Sequence, residues 1–502
     1  MTIPFTYAYF YRSMKNWLPE KQRPLILAAI GSLLVLAFFF RLGFMELRGE
    51  EARRALVAME MLSQGSYWVP LLHGLPYINK PPLYQWVLML FFSGPFNVSE
   101  WLLRLPGVLS AFATAGMIYW TGRHWLSRPQ ALMAGLIYLT GADLLFFGFV
   151  YAGEIDPFYA FITFSQMAIL LLVFTGKRPS RWLWLSFLLA AMGILTKGLP
   201  SIVHQVISFM TLLFLTRKWR FLWDPNFIGG VMLMLLIPVS YFIVYAQWED
   251  PWNYLVNLYW ESVKKSGAVS SPAEVLFHFF EFPFQFIWLL FPWSFSLILL
   301  FRKRVRKVWW IGSEQKVVLI LLLVNLVIYW LSPDTRNRYL YPFLPWLALL
   351  IVPVLSSLDR RYFLIPLFTI LSLRVIYNVA VMPWHQQHFE GRDAVSKVID
   401  ITGDEPIRYY GGWDTLKYDI KFPLLGAYKA ERKVPTQIPY KVPFYIMAQN
   451  GHYLKFDTLI QPDTWYISLR ENWLHDTASI RYELPVIWND SPVVLARNEG
   501  AK

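Results

Sequence analysis

The 502-residue chain contains no cysteine. Disulfide bridges and thiolate metal sites are therefore excluded, although the absence names no compartment. Charge is scarce as well: 16% of the residues are Asp, Glu, Lys or Arg, against about 25% in an ordinary soluble domain. Acidic residues are the rarer sign, 33 against 46 basic, which leaves a formal net charge of +13. The basic excess sits in short clusters between apolar stretches. That placement excludes nucleic acid as a partner and suits loops on one side of a membrane. No small-residue cleavage site follows the aromatic stretch MTIPFTYAYFYRSMKNWLPEKQRP, so residues 25–44 are expected to be a retained first span and not a signal peptide. A solenoid-like period is missing too.

What is present is apolar: 56% of residues are hydrophobic and 18% aromatic. Apolar runs of roughly 20 residues, enough to cross a hydrocarbon core, recur through the first 380 residues. The expected spans are 25–44, 101–121, 130–150, 157–175, 182–196, 198–216, 227–247, 280–301, 316–332, 338–358 and 361–382, about eleven crossings. Arg12, Lys15, Lys21 and Arg23 precede the first, and further clusters fall at Arg123/Arg128, Lys177/Arg178/Arg181, Arg217/Lys218/Arg220, Arg302–Lys307 and Arg360/Arg361. Placing all of them inside puts the N-terminus in the cytoplasm and residues 383–502 outside. The run PLYQWVLMLFF (82–92) is too short to cross at about 1.5 Å per residue and reads as a buried or interfacial helix. Beyond residue 383, charges, turn dipeptides and short runs such as FYIMA and TWYISL indicate a soluble α/β domain. Its residues 390–401 have helical spacing, and the rest reads as strands.

Polar residues collect in the expected outer loops, chiefly 45–100, where RGEEARRALVAMEMLSQGSYWVPLLHGLPYINKPPLYQW carries Glu50, Glu51, Arg53 and Lys80. YAGEIDPFYAF brings Glu154 and Asp156, LTKGLP brings Lys197, and SPDTRNRYLYPFLP brings Arg336, Arg338 and Tyr339. Arg and Lys are the usual partners of a phosphate, and at a bilayer edge they could hold a lipid-linked one. A carboxylate can take the proton of an attacking hydroxyl, and aromatic rings can flank a prenyl chain or a sugar face.

These blocks resemble the bacterial GT-C glycosyltransferases of the aminoarabinose-transferase and protein O-mannosyltransferase type, in family order over roughly residues 45–350. The resemblance rests on the first loop together with RLPGVLSAF, EIDPFYAF, LTKGLP and RNRYLYPFLPWLALL. It implies a GT-C fold, a polyprenyl-phosphate-linked sugar as donor, an outward-facing site in the bacterial inner membrane, and lipid A, another envelope glycan or protein as acceptor. The family's catalytic Asp falls on Glu50, one methylene longer, and its following acidic residue on Glu51. The family's Arg falls on Arg53, its loop Lys on Lys80, its second acidic position on Asp156, and its late basic residues on Arg336 and Arg338. Asn79 stands where aminoarabinose transferases tend to carry Glu. A divalent cation varies within the family.

Each residue also has a plainer reading. Glu50 and Glu51 suit the start of an amphipathic helix over 51–63, Lys80 can snorkel, and Asp156 before Pro157 can open a helix. Lys264 and Lys265 suit lipid headgroups. His73, His204, His278, His385 and His388 lack metal-ligand spacing, so no zinc site is expected. On the resemblance, Glu50 and Asp156 are the catalytic candidates; Glu51, Arg53, Lys80, Lys197, Arg336, Arg338 and Tyr339 are the substrate-binding ones. The rival reading is a transporter or flippase of polyprenyl-linked sugars, which calls for paired repeats and broken mid-membrane helices; a third is a non-catalytic scaffold.

Overall fold

A computed structural model describes residues 21–147, 151–264, 271–303, 305, 313–387, 391–422, 426–473, 480–488 and 490–498. The helices are α1 (Arg23–Phe39), α2 (Glu50–Gln64), α3 (Leu83–Phe91), α4 (Glu100–Gly122), α5 (Arg128–Leu139), α6 (Ala142–Phe146), α7 (Asp156–Phe174), α8 (Leu183–Lys197) and α9 (Pro200–Thr216). They continue as α10 (Pro225–Tyr245), α11 (Pro251–Lys264), α12 (Pro272–Trp288), α13 (Ser313–Trp330), α14 (Leu344–Leu355), α15 (Arg361–Ile376), α16 (Met382–Gln386), α17 (Gly391–Thr402) and α18 (Lys441–Asn450). The chain forms two compact units. One comprises Met1–Leu42, Gly107–Phe242 and Glu261–Val381; the other comprises Gly43–Pro106, Ile243–Trp260 and Met382–Lys502.

The first unit is helical. Helices stand at all eleven expected span positions. By length and apolarity alone, five among the described residues reach across a membrane: Glu100–Gly122, Asp156–Phe174, Pro225–Tyr245, Asn337–Leu355 and Arg361–Gln386. Burial separates inner from outer helices. α7 buries seventeen of its nineteen residues and packs on α8 and α9. α10 is more apolar still, yet only 22% of its membrane-length window is buried, as expected of a helix whose outer face meets lipid. Two expected spans differ: 130–150 is split among the described residues into α5 and α6, and 280–301 is broken more sharply. Residues 280–301 are not one helix: α12 begins at Pro272, and a 3₁₀ helix, Trp293–Phe301, leaves it at 116°. Pro292 lies at the break, where its missing N–H prevents the helix from continuing.

In the second unit α2 forms as expected. It ends at Gly65, φ +64°, where Ser66 N–H reaches back to Met61 C=O at 3.0 Å, a closure that needs a left-handed residue. Ten of its fifteen residues are buried, and α18 packs against it. The segment 45–100 thus packs with the C-terminal segment, whereas the sequence reading drew its boundary at 382/383. A two-residue hairpin, β1 (Leu71–Leu72) and β2 (Leu75–Pro76), follows α2. The C-terminal segment adds β3 (Ile407–Tyr410), β4 (Trp413–Phe422), β5 (Gly426–Pro435), β6 (Phe456–Asp457), β7 (Thr464–Leu469), β8 (Ile480–Trp488) and β9 (Ser491–Asn498). The sheet order is β6-β3-β7-β9-β8, with β4 and β5 a separate hairpin. TWYISL is strand β7, but FYIMA lies within helix α18. Val442, Phe444, Tyr445, Ile446 and Met447 are all buried there, and a short run buried on every face has no period to separate helix from strand.

Candidate active site

Two clusters gather the candidate residues, one in each unit. In the second unit the chain enters α2 through Gly49 at φ +49°, a left-handed turn that glycine adopts at least cost. Glu50 and Glu51 follow in the first turn, where the helix dipole favours negative charge. Successive residues point about 100° apart around a helix, so the adjacent carboxylates meet different surroundings. Glu51 is fully buried and receives both Nε (3.0 Å) and Nη2 (2.9 Å) of the buried Arg104, together with Arg48 N–H at 2.6 Å. Arg104 also donates to Glu46 C=O at 3.1 Å. Glu50 instead remains 35% exposed and pairs with Arg53 one turn on. It opens onto a cleft of ≈ 560 Å³ bounded by Arg48, Arg53, Tyr440, Lys441 and Trp488.

Arg53 also borders a second cavity of ≈ 440 Å³, with His73, Tyr77, Asn79, Asn253, Asn257 and Trp413 among its walls. Lys80 follows Asn79, and its backbone is held by α11: Tyr254 donates to Lys80 C=O at 2.7 Å and Asn257 to Ile78 C=O at 2.9 Å. Beneath the hairpin lies Glu60, which accepts the N–H groups of His73 (2.7 Å) and Gly74 (3.0 Å) and the Tyr453 hydroxyl at 3.3 Å. Burial raises its carboxyl to about 7, against the lowering pull of those hydrogen bonds. Burial likewise pushes His73 down to about 4. Among the described residues neither ring nitrogen of His73 has a hydrogen-bond partner.

In the first unit Asp156 opens α7 with Pro157 beside it, and its buried carboxylate receives Lys197 Nζ at 2.5 Å. Lys197 closes α8 and sits over the rings of Tyr159 (4.7 Å) and Tyr339 (5.6 Å). Arg338 reaches Glu154 at 3.6 Å and lies 5.7 Å from the Tyr339 ring. Arg336 is exposed at the N-cap of the 3₁₀ helix Asn337–Phe343. That helix is tied down at Asp143 by Asn337 (3.0 Å) and Tyr341 (2.6 Å). The blocks EIDPFYAF, LTKGLP and RNRYLYPF therefore converge, although they are far apart in sequence. Among the described residues no group of three or more His, Asp or Glu side chains could hold a metal ion. Lys265 and His388 lie outside the described residues.

Comparison with known proteins adds to this geometry. The family model for dolichyl-phosphate-mannose-protein mannosyltransferase matches residues 79–245, a stretch that includes Lys80, Asp156 and Lys197. The undecaprenyl phosphate-alpha-4-amino-4-deoxy-L-arabinose arabinosyl transferase of Pectobacterium atrosepticum is 26% identical over 349 residues, 65% of this chain and 59% of that one. Its namesake from Edwardsiella ictaluri is 29% identical over 263 residues, 49% of this chain and 44% of that one. The chain thus spans about half the length of these curated relatives. The crystal structure of ArnT from Cupriavidus metallidurans bound to undecaprenyl phosphate superposes at TM-score 0.68 and 16% identity, covering 95% of this chain and 98% of that one. It has the GT-C fold. The apo structure of the same protein agrees, at TM-score 0.66 and 17% identity over 96% and 100% of the two chains.

This GT-C chain thus shares the fold of those structures, and five of its described helices are long and apolar enough to cross a membrane. Sequence reasoning missed three parts of its site. Arg104, the partner of Glu51, reads as an ordinary charge at a span edge. Glu60 reads as one polar residue of an amphipathic helix, and the turn it caps, His73-Gly74 at φ +56° and +77°, is not among the usual hairpin dipeptides. Tyr440 lies in a segment with no motif.

Proposed function

We propose that the chain is a glycosyltransferase that moves a sugar from a polyprenyl-phosphate donor to an envelope acceptor on the outer face of the inner membrane. What carries this reading most is Glu50: a half-exposed carboxylate at a helix N-terminus, opening onto a ≈ 560 Å³ cleft at the family's catalytic position. The undecaprenyl-phosphate aminoarabinosyl transferases among its relatives make aminoarabinose the first sugar to test. Lipid A, another glycan and protein are the acceptors to compare.

In the proposed step an acceptor oxygen attacks the anomeric carbon as the bond from that carbon to the phosphate oxygen breaks. The proton of the attacking hydroxyl passes to the Glu50 carboxylate, and the polyprenyl phosphate leaves as the anion with inversion at carbon. Lys80 stabilises the leaving phosphate, and Arg53 pairs with Glu50. Arg336 and Arg338 are assigned phosphate contacts on the family resemblance, and Asp156, Lys197 and Tyr339 substrate positioning. Glu51, already saturated by Arg104 and Arg48, supports the turn that presents Glu50.

The test is turnover of radiolabelled polyprenyl-phosphate sugars by protein purified in detergent, following donor loss and product mass. Glu50→Gln is expected to lower kcat by at least about 100-fold, and Lys80→Ala to weaken donor use. Near wild-type turnover by Glu50→Gln would sink the base assignment. Donor movement across proteoliposomes with no turnover of any donor would replace the transferase with a transporter.

A further inference from the structure

Arg53 stands one helical turn after Glu50 and pairs with it. Such a pair at a wet helix end is ordinarily weak, because two long side chains rarely stay in one geometry. Here the guanidinium is only 18% exposed, since it lies against two rings: Tyr77 at 5.7 Å and Tyr440 at 5.5 Å. Tyr77 comes from the segment after β2, Tyr440 from the residue that opens α18. Burial holds the Tyr440 phenol above its usual range, against the lowering pull of the Arg53 cation, so it meets Arg53 as a neutral ring. A cation between aromatic faces loses its alternative rotamers and gains the attraction of both quadrupoles. Arg53, Gln437 and Tyr440 line both cavities, whereas Glu50 borders only the larger one. An Arg53 that swung into the smaller cavity would leave Glu50 without its cation.

We propose that Tyr440, contributed by the C-terminal segment, is a positioning residue for the Glu50 carboxylate and acts through Arg53. The proposal rests on the reading of Glu50 as the base and gives the C-terminal segment a part in the reaction. The ring clamps Arg53 beside Glu50, and the clamped cation, with Arg48 and Lys441 bordering the same cleft, favours the charged carboxylate and keeps it turned toward that cleft.

The experiment is a set of pH–rate profiles for wild type, Tyr440→Phe, Tyr440→Leu, Arg53→Ala and the double variant Arg53→Ala/Tyr440→Leu, with melting temperatures of each. Tyr440→Leu is expected to lower kcat roughly tenfold, leave the donor KM near its wild-type value, and move the acid limb of the profile to higher pH. Tyr440→Phe, which keeps the ring, restores both rate and profile. The double variant is no slower than Arg53→Ala, because the ring has nothing left to hold. Losses that multiply in the double variant, a Tyr440→Phe as slow as Tyr440→Leu, or an unmoved acid limb would each overturn the proposal. If wild-type protein turns over no donor, it is the reading of Glu50 that fails. The same cycle read in melting temperatures then decides the clamp, and strictly additive shifts would overturn it.

Discussion

Glu60 and Glu50 lie on the same helix and are chemically identical, yet their surroundings give them different work. Glu60 is fully buried, and its partners are two backbone N–H groups of a hairpin turn and one phenol. Its carboxyl titrates near 7 in the folded chain against 4.5 ordinarily. Raised folded-state affinity for the proton means that its contribution to stability is complete below about pH 4.5. It is lost as pH rises toward 7, where the unfolded chain has already ionised. A difference of that size corresponds to roughly 3 kcal/mol at most. Thermal melts of wild type and Glu60→Gln between pH 4.5 and 7.5 are expected to diverge, with the wild type losing more stability over the interval. Parallel curves would show that the carboxyl ionises freely where it lies. The sequence made Glu50 and Glu51 conspicuous because paired carboxylates beside an apolar span are costly. Residue type and spacing alone could not separate them: the resemblance singled out Glu50, and only the position of Arg104 shows why Glu51 is buried. Glu60 stayed hidden because two of its three partners are main-chain groups and the third, Tyr453, is far away in sequence.

At the scale of elements, the parts that position the site are short amphipathic helices that the sequence hid among loops. α11 occupies a stretch expected to be an outer loop, and its Tyr254 and Asn257 reach the carbonyls of Lys80 and Ile78. Two prolines follow Lys80 and supply no N–H of their own, and these donors from α11 help to pin the segment. Asn257→Ala removes one such hydrogen bond, worth about 1 kcal/mol, and lets the Lys80 segment shift. The expected result is a donor KM raised several-fold with kcat nearly retained, more so in Tyr254→Phe/Asn257→Ala. A fall in kcat at constant KM would place α11 in the chemistry instead. Membrane-length helices were legible because length and apolarity alone define them, and α2 because its period is clear. α11 and α18 were not: one sits among charged and aromatic residues, and the other buries every face.

For the whole molecule, the order of the blocks was legible and their grouping was not. EIDPFYAF, LTKGLP and RNRYLYPF lie on α7, α8 and a 3₁₀ helix, and only packing tells that Asp156, Lys197 and Tyr339 are neighbours while Glu50 belongs to another unit. That grouping allows the first cluster to be tested without touching the second. Asp156→Asn strands the buried Lys197 ammonium and is expected to cost about 3–5 kcal/mol, visible as a lower melting temperature. Asp156→Asn/Lys197→Met removes both charges and is expected to recover most of that loss, since a buried pair replaced by neutral groups of similar size is often nearly neutral in stability. Turnover then separates structure from function. If the cluster positions substrate, the double variant melts like wild type but transfers no sugar. If it only holds α7 to α8, stability and transfer return together, and the first unit's share of the chemistry falls to Arg336 and Arg338.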